Sequence, residues 1–438
     1  MSPLRFQLAS FAVPWLDWNP LNVELINTGS ELMLGEVLNT HAQWLCRELA
    51  GLGFVVGRQT AVSDQARAIT EALRDALGRA NLVIITGGLG PTTDDRTRDC
   101  AADLLGLHLE ESPEVLTQLQ QFFAIRNRSM PERARLQALV PPGALVLPNQ
   151  NGTAPGLAIT VPAGRIHPTS PTALLLMLPG PGRELRPMFT NQVVPLLRSS
   201  FPSMPRFCRV LRTVGLPESL VEEKLDEPLK TLTERGLDLG YCAKPLQVDI
   251  RLAADGPNAE PLVREAELIA RRQLGPSIFG IGGESLAAVV LNLLRQAGQT
   301  FALAESCTGG YIANSVTNVP GASTCFLAGY VTYSNQAKQQ SLGVNPDTLE
   351  RFGAVSEQTA KEMAEGARSR SGASFALAVT GIAGPSGGTA EKPVGTVFIA
   401  LADSNETTVV QKANATDRET FKELTATQSL DLLRRRLA

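Results

Sequence analysis

Apolar and polar positions follow two alternating periods through the first third of the chain. Apolar runs of strand length are separated by stretches in which apolar residues recur every three to four positions. The pattern predicts strands at 23–28, 54–60 and 81–86, and helices at 36–52, 65–79 and 95–105. Strands that alternate with helices imply crossover connections and a mostly parallel sheet. Ligands of such sheets bind at the carboxyl ends of the strands.

The pattern changes between residues 194 and 283. The order strand, helix, two strands, helix and a last short strand predicts a small α+β domain that resembles a KH fold. In a KH domain a GxxG loop clamps the nucleic-acid backbone and lies between helices. The GxxG sequence here, at 280–283, follows the last predicted helix. We therefore expect a spacer or dimerisation module rather than a nucleic-acid binder.

Residues 284–438 return to alternating helices and strands, so a third domain of α/β class is predicted. Thr416 and Glu419 have the spacing of a capping box at the start of the last helix. The predicted organisation is a leader without assigned structure (1–21), an N-terminal α/β domain (22–193), the KH-like domain (194–283) and a C-terminal α/β domain (284–438).

Composition narrows the classes of function. The chain has 438 residues, and 43% of them are hydrophobic, which excludes a disordered chain. Its net charge is −3, so the chain lacks the basic character of a nucleic-acid binder. Its six cysteines form no CxxC pair, so a structural zinc site of the cysteine type is not expected. They are too sparse for a disulfide framework in a chain of this length, which favours a reducing, cytoplasmic location. There is no apolar window of membrane-spanning length, and the leader lacks the pattern of a signal peptide, so no membrane partner is expected.

Histidine is confined to the first part of the chain. The three histidines are His41, His108 and His167, and none follows. Any chemistry in the C-terminal domain therefore proceeds without imidazole. This excludes Ser-His-Asp and Cys-His catalysis and histidine-ligated zinc from that domain.

Three glycine-rich loops follow predicted strands in the N-terminal domain. They contain Thr28, Gly29 and Glu31, then Gly87, Gly88 and Gly90, and finally Gly180 in the sequence LPGPGRE. Glycines let the backbone approach a ligand closely, and a helix start after such a loop suits phosphate. Asp94 and Asp95 would suit a hard divalent cation that bridges to phosphate oxygens. Taken alone, each loop is also compatible with a tight strand–helix turn.

A nucleophile motif opens the C-terminal domain. Ser306, in AESCTGG, is placed between a strand and a helix like the serine of a nucleophile elbow, where glycines such as Gly309 allow a sharp turn and the helix N-terminus could stabilise an oxyanion. Lys338, assisted by Tyr333 in the same sequence YSNQAK, is the candidate base, because a desolvated lysine has a lowered pKa. Cys307 is the rival nucleophile, although a lone cysteine is more often a buried apolar residue.

A further glycine-rich loop, in the C-terminal domain, suits a phosphate or carboxylate. It follows a predicted strand and contains Thr380, Gly381, Gly384, Gly387 and Gly388. Arg418, near the start of the last helix, could bind a phosphate with two hydrogen bonds. The alternative is a solvated arginine on an exposed helix.

Together these motifs resemble the CinA family of competence/damage-inducible proteins. TGSELMLGE, TGGLGPTTDD, MPE, GTAPG and LPGPGRE are similar to its N-terminal domain, which has a MoaB/MogA-like fold. AESCTGG, VTYSNQAK and TGIAGPSGG are similar to its C-terminal amidase domain. The resemblance implies that the C-terminal domain deamidates nicotinamide mononucleotide without a cofactor. It implies that the N-terminal domain hydrolyses ADP-ribose with a divalent metal (Mg²⁺, Mn²⁺ or Co²⁺) and allows for K⁺, and that the protein is a homodimer.

The resemblance also assigns residues to each activity. For the amidase they are Ser306, Thr308, Tyr333, Lys338 and Arg418; for the ADP-ribose hydrolase they are Glu31, Gly87, Gly88, Asp94, Asp95 and Glu132. Two departures from the family pattern, Gly182 and a long loop at 163–172, are predicted to lie beside the N-terminal pocket. The alternative functions are a non-catalytic scaffold in competence or DNA repair and a molybdopterin-binding protein.

Overall fold

The computed structural model describes residues 21–201 and 206–438, which form two compact units divided between Arg206 and Phe207. The predicted leader, apart from its last residue, lies outside the described residues. Among the described residues, none of the helices has the length and apolar character needed to cross a membrane.

The first unit is an α/β domain. Its strands are β1 (Val23–Thr28), β2 (Val56–Val62), β3 (Leu82–Thr86), β4 (Glu110–Glu111), β5 (Leu139–Val140), β6 (Leu145–Leu147), β7 (Gly156–Val161) and β8 (Ala173–Leu178). Its helices are α1 (Ser30–Met33), α2 (Thr40–Gly51), α3 (Ala66–Leu77), α4 (Thr97–Leu105), α5 (Pro113–Ile125), α6 (Gly182–Met188) and α7 (Val194–Ser200), with a 3-10 turn at Glu132–Ala138 and a π turn at Phe189–Val193.

The six-stranded sheet of this unit has the order β2-β1-β3-β8-β7-β6. The first four strands in this order are parallel to one another. Strand β7 is antiparallel to its neighbour β8, and β6 is antiparallel to β7. Side chains of a strand alternate between its faces, so Leu25 packs into one hydrophobic core and Ile26 into the other. Burial on both faces explains why β3 and β8 are nearly continuous apolar runs, whereas the equally buried β1 includes Glu24 and Asn27.

Helix α7 packs with the first unit. Leu196 and Leu197 are buried in the same core as Leu25. The unit therefore extends past residue 193, where the sequence interpretation placed a boundary, because these two leucines cover the sheet of the N-terminal domain.

The second unit begins with a small α+β segment. It contains β9 (Arg206–Val214), α8 (Glu218–Glu234), β10 (Asp238–Lys244), β11 (Gln247–Asp255), α9 (Ala259–Leu274), a 3-10 turn at Gly275–Ser277 and β12 (Ile278–Ile281). The sheet order is β10-β11-β9-β12, and Leu225, Ile250 and Val263 belong to the core between sheet and helices. The GxxG sequence lies on and after β12, past α9, as predicted.

The rest of the second unit is an α/β fold. Its strands are β13 (Phe301–Glu305), β14 (Phe326–Val331), β15 (Phe375–Gly381), β16 (Thr396–Ala402) and β17 (Thr407–Ala413). Its helices are α10 (Leu286–Gln296), α11 (Tyr311–Thr317), α12 (Asn335–Ala337), α13 (Pro346–Phe352), α14 (Glu357–Ser371) and α15 (Arg418–Leu437), with a 3-10 turn at Ala322–Thr324 and a π turn at Lys338–Leu342.

The sheet order is β14-β13-β15-β16-β17, and β14, β13 and β15 are parallel to one another. Their carboxyl ends therefore lie at one edge of the sheet. Helix α15 is capped by Asp417, whose carboxylate accepts hydrogen bonds from the N–H groups of Glu419 and Thr420 at 3.0 and 2.9 Å. The predicted capping box on Thr416 is therefore wrong by one residue, because an aspartate accepts both amides.

Candidate functional site

The strand ends of the C-terminal fold bring the predicted amidase residues together. Ser306 follows β13, Lys338 follows β14 through the three-residue helix α12, and the glycine-rich loop follows β15. These three strands are adjacent and parallel, so residues far apart in sequence meet at the same edge.

Ser306 and Lys338 are in direct contact. The Lys338 amine lies 3.0 Å from Ser306 Oγ and 2.9 Å from the Thr332 carbonyl oxygen. Both side chains are buried, with 8% of Ser306 and 1% of Lys338 exposed. A lysine held against a serine in this way has the geometry of a nucleophile and its base.

Burial lowers the pKa of Lys338 from its usual 10.5, and this outweighs the opposing influence of Cys307. Desolvation disfavours the ammonium form, so a larger fraction of the amine is neutral at a given pH. A neutral amine can accept the serine proton while it donates to the Thr332 carbonyl.

Cys307 is a poor rival to Ser306. Its thiol is 5% exposed, and burial raises its pKa to about 12. The thiolate is the nucleophilic form, so burial makes this cysteine a weaker nucleophile.

Glu305, which the sequence analysis did not single out, organises the turn. Its buried carboxylate accepts hydrogen bonds from the Thr308 hydroxyl and from three backbone N–H groups, those of Gly310, Ile312 and Ala313, at 2.7–3.1 Å. These amides open helix α11. These three N–H groups are therefore not free for the predicted oxyanion. In the sequence, this role of Glu305 was indicated by an acidic residue three positions before Thr308, in the turn that leads into helix α11.

Thr308 has a positioning role in this arrangement. It is 1% exposed and donates to Glu305 at 2.7 Å. Gly309 and Gly310 have φ values of 61° and 95°, so the chain reverses sharply beside Ser306 through two left-handed residues.

Tyr333 is paired with Arg418. The Arg418 guanidinium donates to the Tyr333 hydroxyl at 2.7 Å and to the Gly384 carbonyl at 2.9 Å. Arg418 therefore links the loop after β14 to the loop after β15. Tyr333 is 61% exposed, so this pair forms the outer part of the site.

The loop after β15 is held by close packing. A Cβ atom at Gly384 or Gly388 would lie within 2.5–2.7 Å of Val394. One at Gly381 would lie 2.7 Å from the Thr396 carbonyl. Gly387 has a φ of 94°, and the buried Thr380 hydroxyl donates to the Ala354 carbonyl at 2.6 Å. Thr380 and these four glycines thus shape the loop, and the Arg418 guanidinium is bound to it through the Gly384 carbonyl.

The three glycine-rich loops of the first unit meet around a polar cavity of about 540 Å³. Its lining includes all but one of the predicted residues of this domain: Thr28, Gly29, Glu31, Gly87, Gly88, Gly90, Asp94, Asp95 and Gly180. A Cβ at Gly87 would lie 2.5 Å from the Thr28 hydroxyl, and one at Gly88 would clash with Thr97. The absence of side chains here lets the loops approach one another.

Two adjacent carboxylates lie on this cavity. Asp95 accepts hydrogen bonds from the Thr92 N–H at 2.9 Å and from the Thr92 hydroxyl at 2.5 Å. Hydrogen bonding by Thr92 and by its own backbone lowers the pKa of the exposed Asp94. The described residues contain no group of three or more candidate metal ligands. The pair nevertheless fits a magnesium-like ion, which needs only one or two protein carboxylates when substrate phosphates complete its shell.

Glu132 does not line the cavity. It is exposed at the start of the 3-10 turn, and Gln137 of the same turn lines the cavity instead, buried and with no partner for its Oε1 atom among the described residues. Asp64 and Glu184, which were not predicted from the sequence, also lie on the cavity wall. Glu184 is the last residue of the quoted LPGPGRE sequence, which was the signal available.

His41 also lines the cavity, and its Nδ1 atom is buried without a partner among the described residues. Burial lowers its pKa, and the charge of Arg186 adds to this. A Cβ at Gly182 would lie 2.9 Å from His41 Cε1, so this departure from the family pattern does adjoin the cavity.

The loop at 163–172 is not beside the cavity. It precedes β8 and so lies at the amino ends of the parallel strands, opposite the glycine-rich loops. His167 would be 2.8 Å from a Cβ at Gly78, after α3. The predicted proximity is wrong because the loop connects β7 to the opposite end of β8.

Three family models match the chain in succession. A probable molybdopterin binding domain matches residues 24–199, the damage-inducible protein CinA KH domain matches 208–280, and the CinA C-terminal domain matches 283–437.

Curated relatives match over nearly the whole chain. A putative competence-damage inducible protein of Caldicellulosiruptor saccharolyticus is 41% identical over 94% of this chain and 98% of its own length. A CinA-like protein of Akkermansia muciniphila is 44% identical over 94% and 96%. The crystal structure of the competence/damage inducible protein CihA from Agrobacterium tumefaciens is 45% identical over 34% of this chain and 91% of that one, with a TM-score of 0.33.

Proposed function

The chain belongs to the CinA family, and from that premise we propose that it is a hydrolase with two separate active sites. The C-terminal site is proposed to convert nicotinamide mononucleotide to nicotinate mononucleotide and ammonia. The N-terminal site is proposed to hydrolyse ADP-ribose to AMP and ribose 5-phosphate with a divalent metal.

The observation that carries the amidase is the 3.0 Å contact between the Lys338 amine and Ser306 Oγ in a buried site. Ser306 Oγ attacks the amide carbon as its proton passes to the neutral amine of Lys338. The C–N bond then breaks, and Lys338 returns the proton to the departing ammonia. Water attacks the acyl-serine ester, gives a proton to Lys338 and releases the acid, after which the proton returns to Ser306.

The nucleotide phosphate is assigned to the outer part of the site. The guanidinium group of Arg418 has several N–H donors, and it is already held by hydrogen bonds to the Tyr333 hydroxyl and the Gly384 carbonyl. Such a fixed guanidinium suits a phosphate, because few degrees of freedom are lost when the ligand binds. In this proposal Tyr333 positions Arg418 rather than assisting Lys338.

The amidase is tested by measuring ammonia and nicotinate mononucleotide in equal amounts from nicotinamide mononucleotide. Free nicotinamide, which lacks the ribose phosphate, serves as the comparison substrate. We expect it to be turned over far less efficiently. Equal kcat/KM for the two substrates would contradict the phosphate assignment, and no ammonia from either would contradict the amidase.

The observation that supports the N-terminal activity is the convergence of three glycine-rich loops and the Asp94–Asp95 pair on one polar cavity. Asp94 and Asp95 would hold the metal, which supplies charge neutralisation at the pyrophosphate. The glycine-rich backbone would approach the phosphate oxygens. Release of AMP from ADP-ribose in the presence of Mg²⁺, Mn²⁺ or Co²⁺, with and without K⁺, tests this proposal. The homodimer is proposed from the family alone and is checked by light scattering.

A further inference from the structure

Among the described residues that line the polar cavity of the first unit, His41 is the one that carries an imidazole. The other ionisable groups of this described lining are five carboxylates, those of Glu31, Asp64, Asp94, Asp95 and Glu184, and it includes no lysine or arginine. A bound metal balances the charge of a pyrophosphate in such a cavity, but the water that attacks the phosphorus still needs a base. Near neutral pH an imidazole is a stronger base than a carboxylate.

Three of the carboxylates are already committed to other contacts. Asp64 accepts hydrogen bonds from the N–H and the hydroxyl of Ser30, both at 2.8 Å. Asp95 accepts two from Thr92, at 2.9 and 2.5 Å. Asp94 is assigned to the metal, and hydrogen bonding lowers its pKa, which weakens it further as a base.

The other two carboxylates differ in exposure. Glu184 is buried, accepts a hydrogen bond from Asn149 at 2.8 Å and lies 3.6 Å from the guanidinium of Arg183. Glu31 is exposed on α1, and it is therefore the carboxylate that competes with His41 for the role of base.

A row of side-chain hydrogen bonds fixes His41 at the strand ends. Asn39, which caps α2 two residues before His41, donates to Asn27 Oδ1 at 3.0 Å. Asn27, near the end of β1, donates to the hydroxyl of Thr86 at 2.6 Å. Thr86 ends β3 and precedes a glycine-rich loop. The start of α2 is thus tied to both strands, which gives the imidazole a set position before a ligand binds.

One edge of the ring packs against α6. A Cβ atom at Gly182 would lie 2.9 Å from His41 Cε1 and 3.6 Å from Nδ1, so the absence of a side chain there makes room for the imidazole. The Nδ1 atom is buried on this side. Nε2 is the nitrogen that remains for the cavity, which His41 lines.

The surroundings of His41 favour the neutral ring. Nδ1 has no hydrogen-bond partner among the described residues, so no acceptor there stabilises an imidazolium. Burial lowers the pKa of the ring, and the charge of Arg186 adds to this. His41 also lies in the first turn of α2, where the helix dipole disfavours a cation. A neutral imidazole has a lone pair that can accept a proton.

We propose that His41 is the general base of the polar cavity and that its Nε2 atom takes a proton from the water that attacks the pyrophosphate. The proposal rests on the proposed N-terminal function. As the water oxygen bonds to one phosphorus, the bond from that phosphorus to the bridging oxygen breaks, and its electron pair stays on the departing phosphate. The imidazolium then gives its proton to the departing phosphate, which restores the neutral ring and leaves AMP and ribose 5-phosphate.

His41→Gln tests this role, because an amide keeps a polar side chain at the position but does not accept a proton near neutral pH. We expect kcat for ADP-ribose hydrolysis with Mg²⁺ to fall by about 10²–10⁴-fold and KM to change less than about threefold. His108→Gln, at an exposed position outside the cavity lining, is the matched control and should behave as the wild type.

The pH dependence separates a base from a residue that only binds the substrate. In the wild type, kcat should fall as the pH drops through the lowered pKa of His41, because the neutral ring is the active form. His108→Gln should keep this decline and His41→Gln should lose it. An unchanged kcat in His41→Gln would overturn the proposal. So would loss of the decline in Glu31→Gln but not in His41→Gln, which would assign the base to Glu31.

An NMR titration of the wild type keeps the test separate from the proposed activity. The probe is the analogue of ADP-ribose in which a methylene group replaces the bridging oxygen, added with Mg²⁺. We expect the ring signals of His41 to shift and those of His108 to stay. If the wild type does not cleave ADP-ribose, the proposed activity fails, and the analogue decides the place of His41. A shift would still support an imidazole at the pyrophosphate, and no shift would overturn it.

Discussion

Lys338 is the residue on which the chemistry of the C-terminal site depends. Replacing it by methionine keeps the length of the buried side chain and removes the base. We expect Lys338→Met to lower kcat by about 10²–10⁴-fold. Its Tm should not fall, since losing the cost of burying an amine offsets the two lost hydrogen bonds.

Lys361→Met, at an exposed position on α14, is the control and should behave as the wild type. If Lys338→Met kept normal turnover, Lys338 would not be the base.

The same residue sets the expected pH dependence. Burial lowers the pKa of Lys338 below 10.5, and the neutral amine is the active form. The value of kcat/KM should therefore rise as pH increases through that lowered pKa and fall as the amine is protonated. A profile measured between pH 6 and 10 that stays flat would contradict this assignment.

At the scale of elements, the turn between β13 and α11 depends on Glu305. Glu305→Gln removes the charge that accepts four hydrogen bonds in a buried position. We expect a loss of about 2–3 kcal/mol in the free energy of unfolding, because hydrogen bonds to a buried charge are strong. Denaturant unfolding measures it, with Glu357→Gln on the exposed first turn of α14 as the matched control. Equal stability of the two variants would contradict the role given to Glu305.

Arg418 links the loops that follow β14 and β15, and this link gives a second prediction about the elements. Arg418→Ala should raise the KM for nicotinamide mononucleotide about tenfold with a smaller change in kcat. Tyr333→Phe should raise it less, since it removes one hydrogen bond that holds the arginine.

The double variant should resemble Arg418→Ala alone, because Tyr333 acts through Arg418. Independent, multiplying effects would show that Tyr333 has a separate role.

Much of this arrangement could be predicted from the order of elements, because apolar runs with two buried faces specify parallel strands and polar glycine-rich loops mark their ends. The contacts between separate loops could not. The pairing of Tyr333 with Arg418 joins residues 85 apart in the sequence, and the exclusion of Glu132 depends on which face of a short turn meets the cavity. The loop at 163–172 was misplaced because nearness in sequence to LPGPGRE does not show which end of β8 it adjoins.

For the molecule as a whole, the two proposed sites use different chemistry and belong to different units. Chelation with EDTA should abolish ADP-ribose hydrolysis and leave ammonia release intact, since no metal is assigned to Ser306 and Lys338. Asp94→Asn should act like EDTA, and Ser306→Ala should do the reverse. Loss of both activities on chelation, in protein with an unchanged circular dichroism spectrum, would contradict the separation of the sites.

The central claim is that Ser306 is the nucleophile of an amidase. The most direct measurement is the rate of ammonia release from nicotinamide mononucleotide by Ser306→Ala and by Cys307→Ala under identical conditions. We predict no release above background from Ser306→Ala, and a rate within about threefold of the wild type from Cys307→Ala, because its buried thiol has a pKa of about 12. Normal release by Ser306→Ala together with loss in Cys307→Ala would contradict the account.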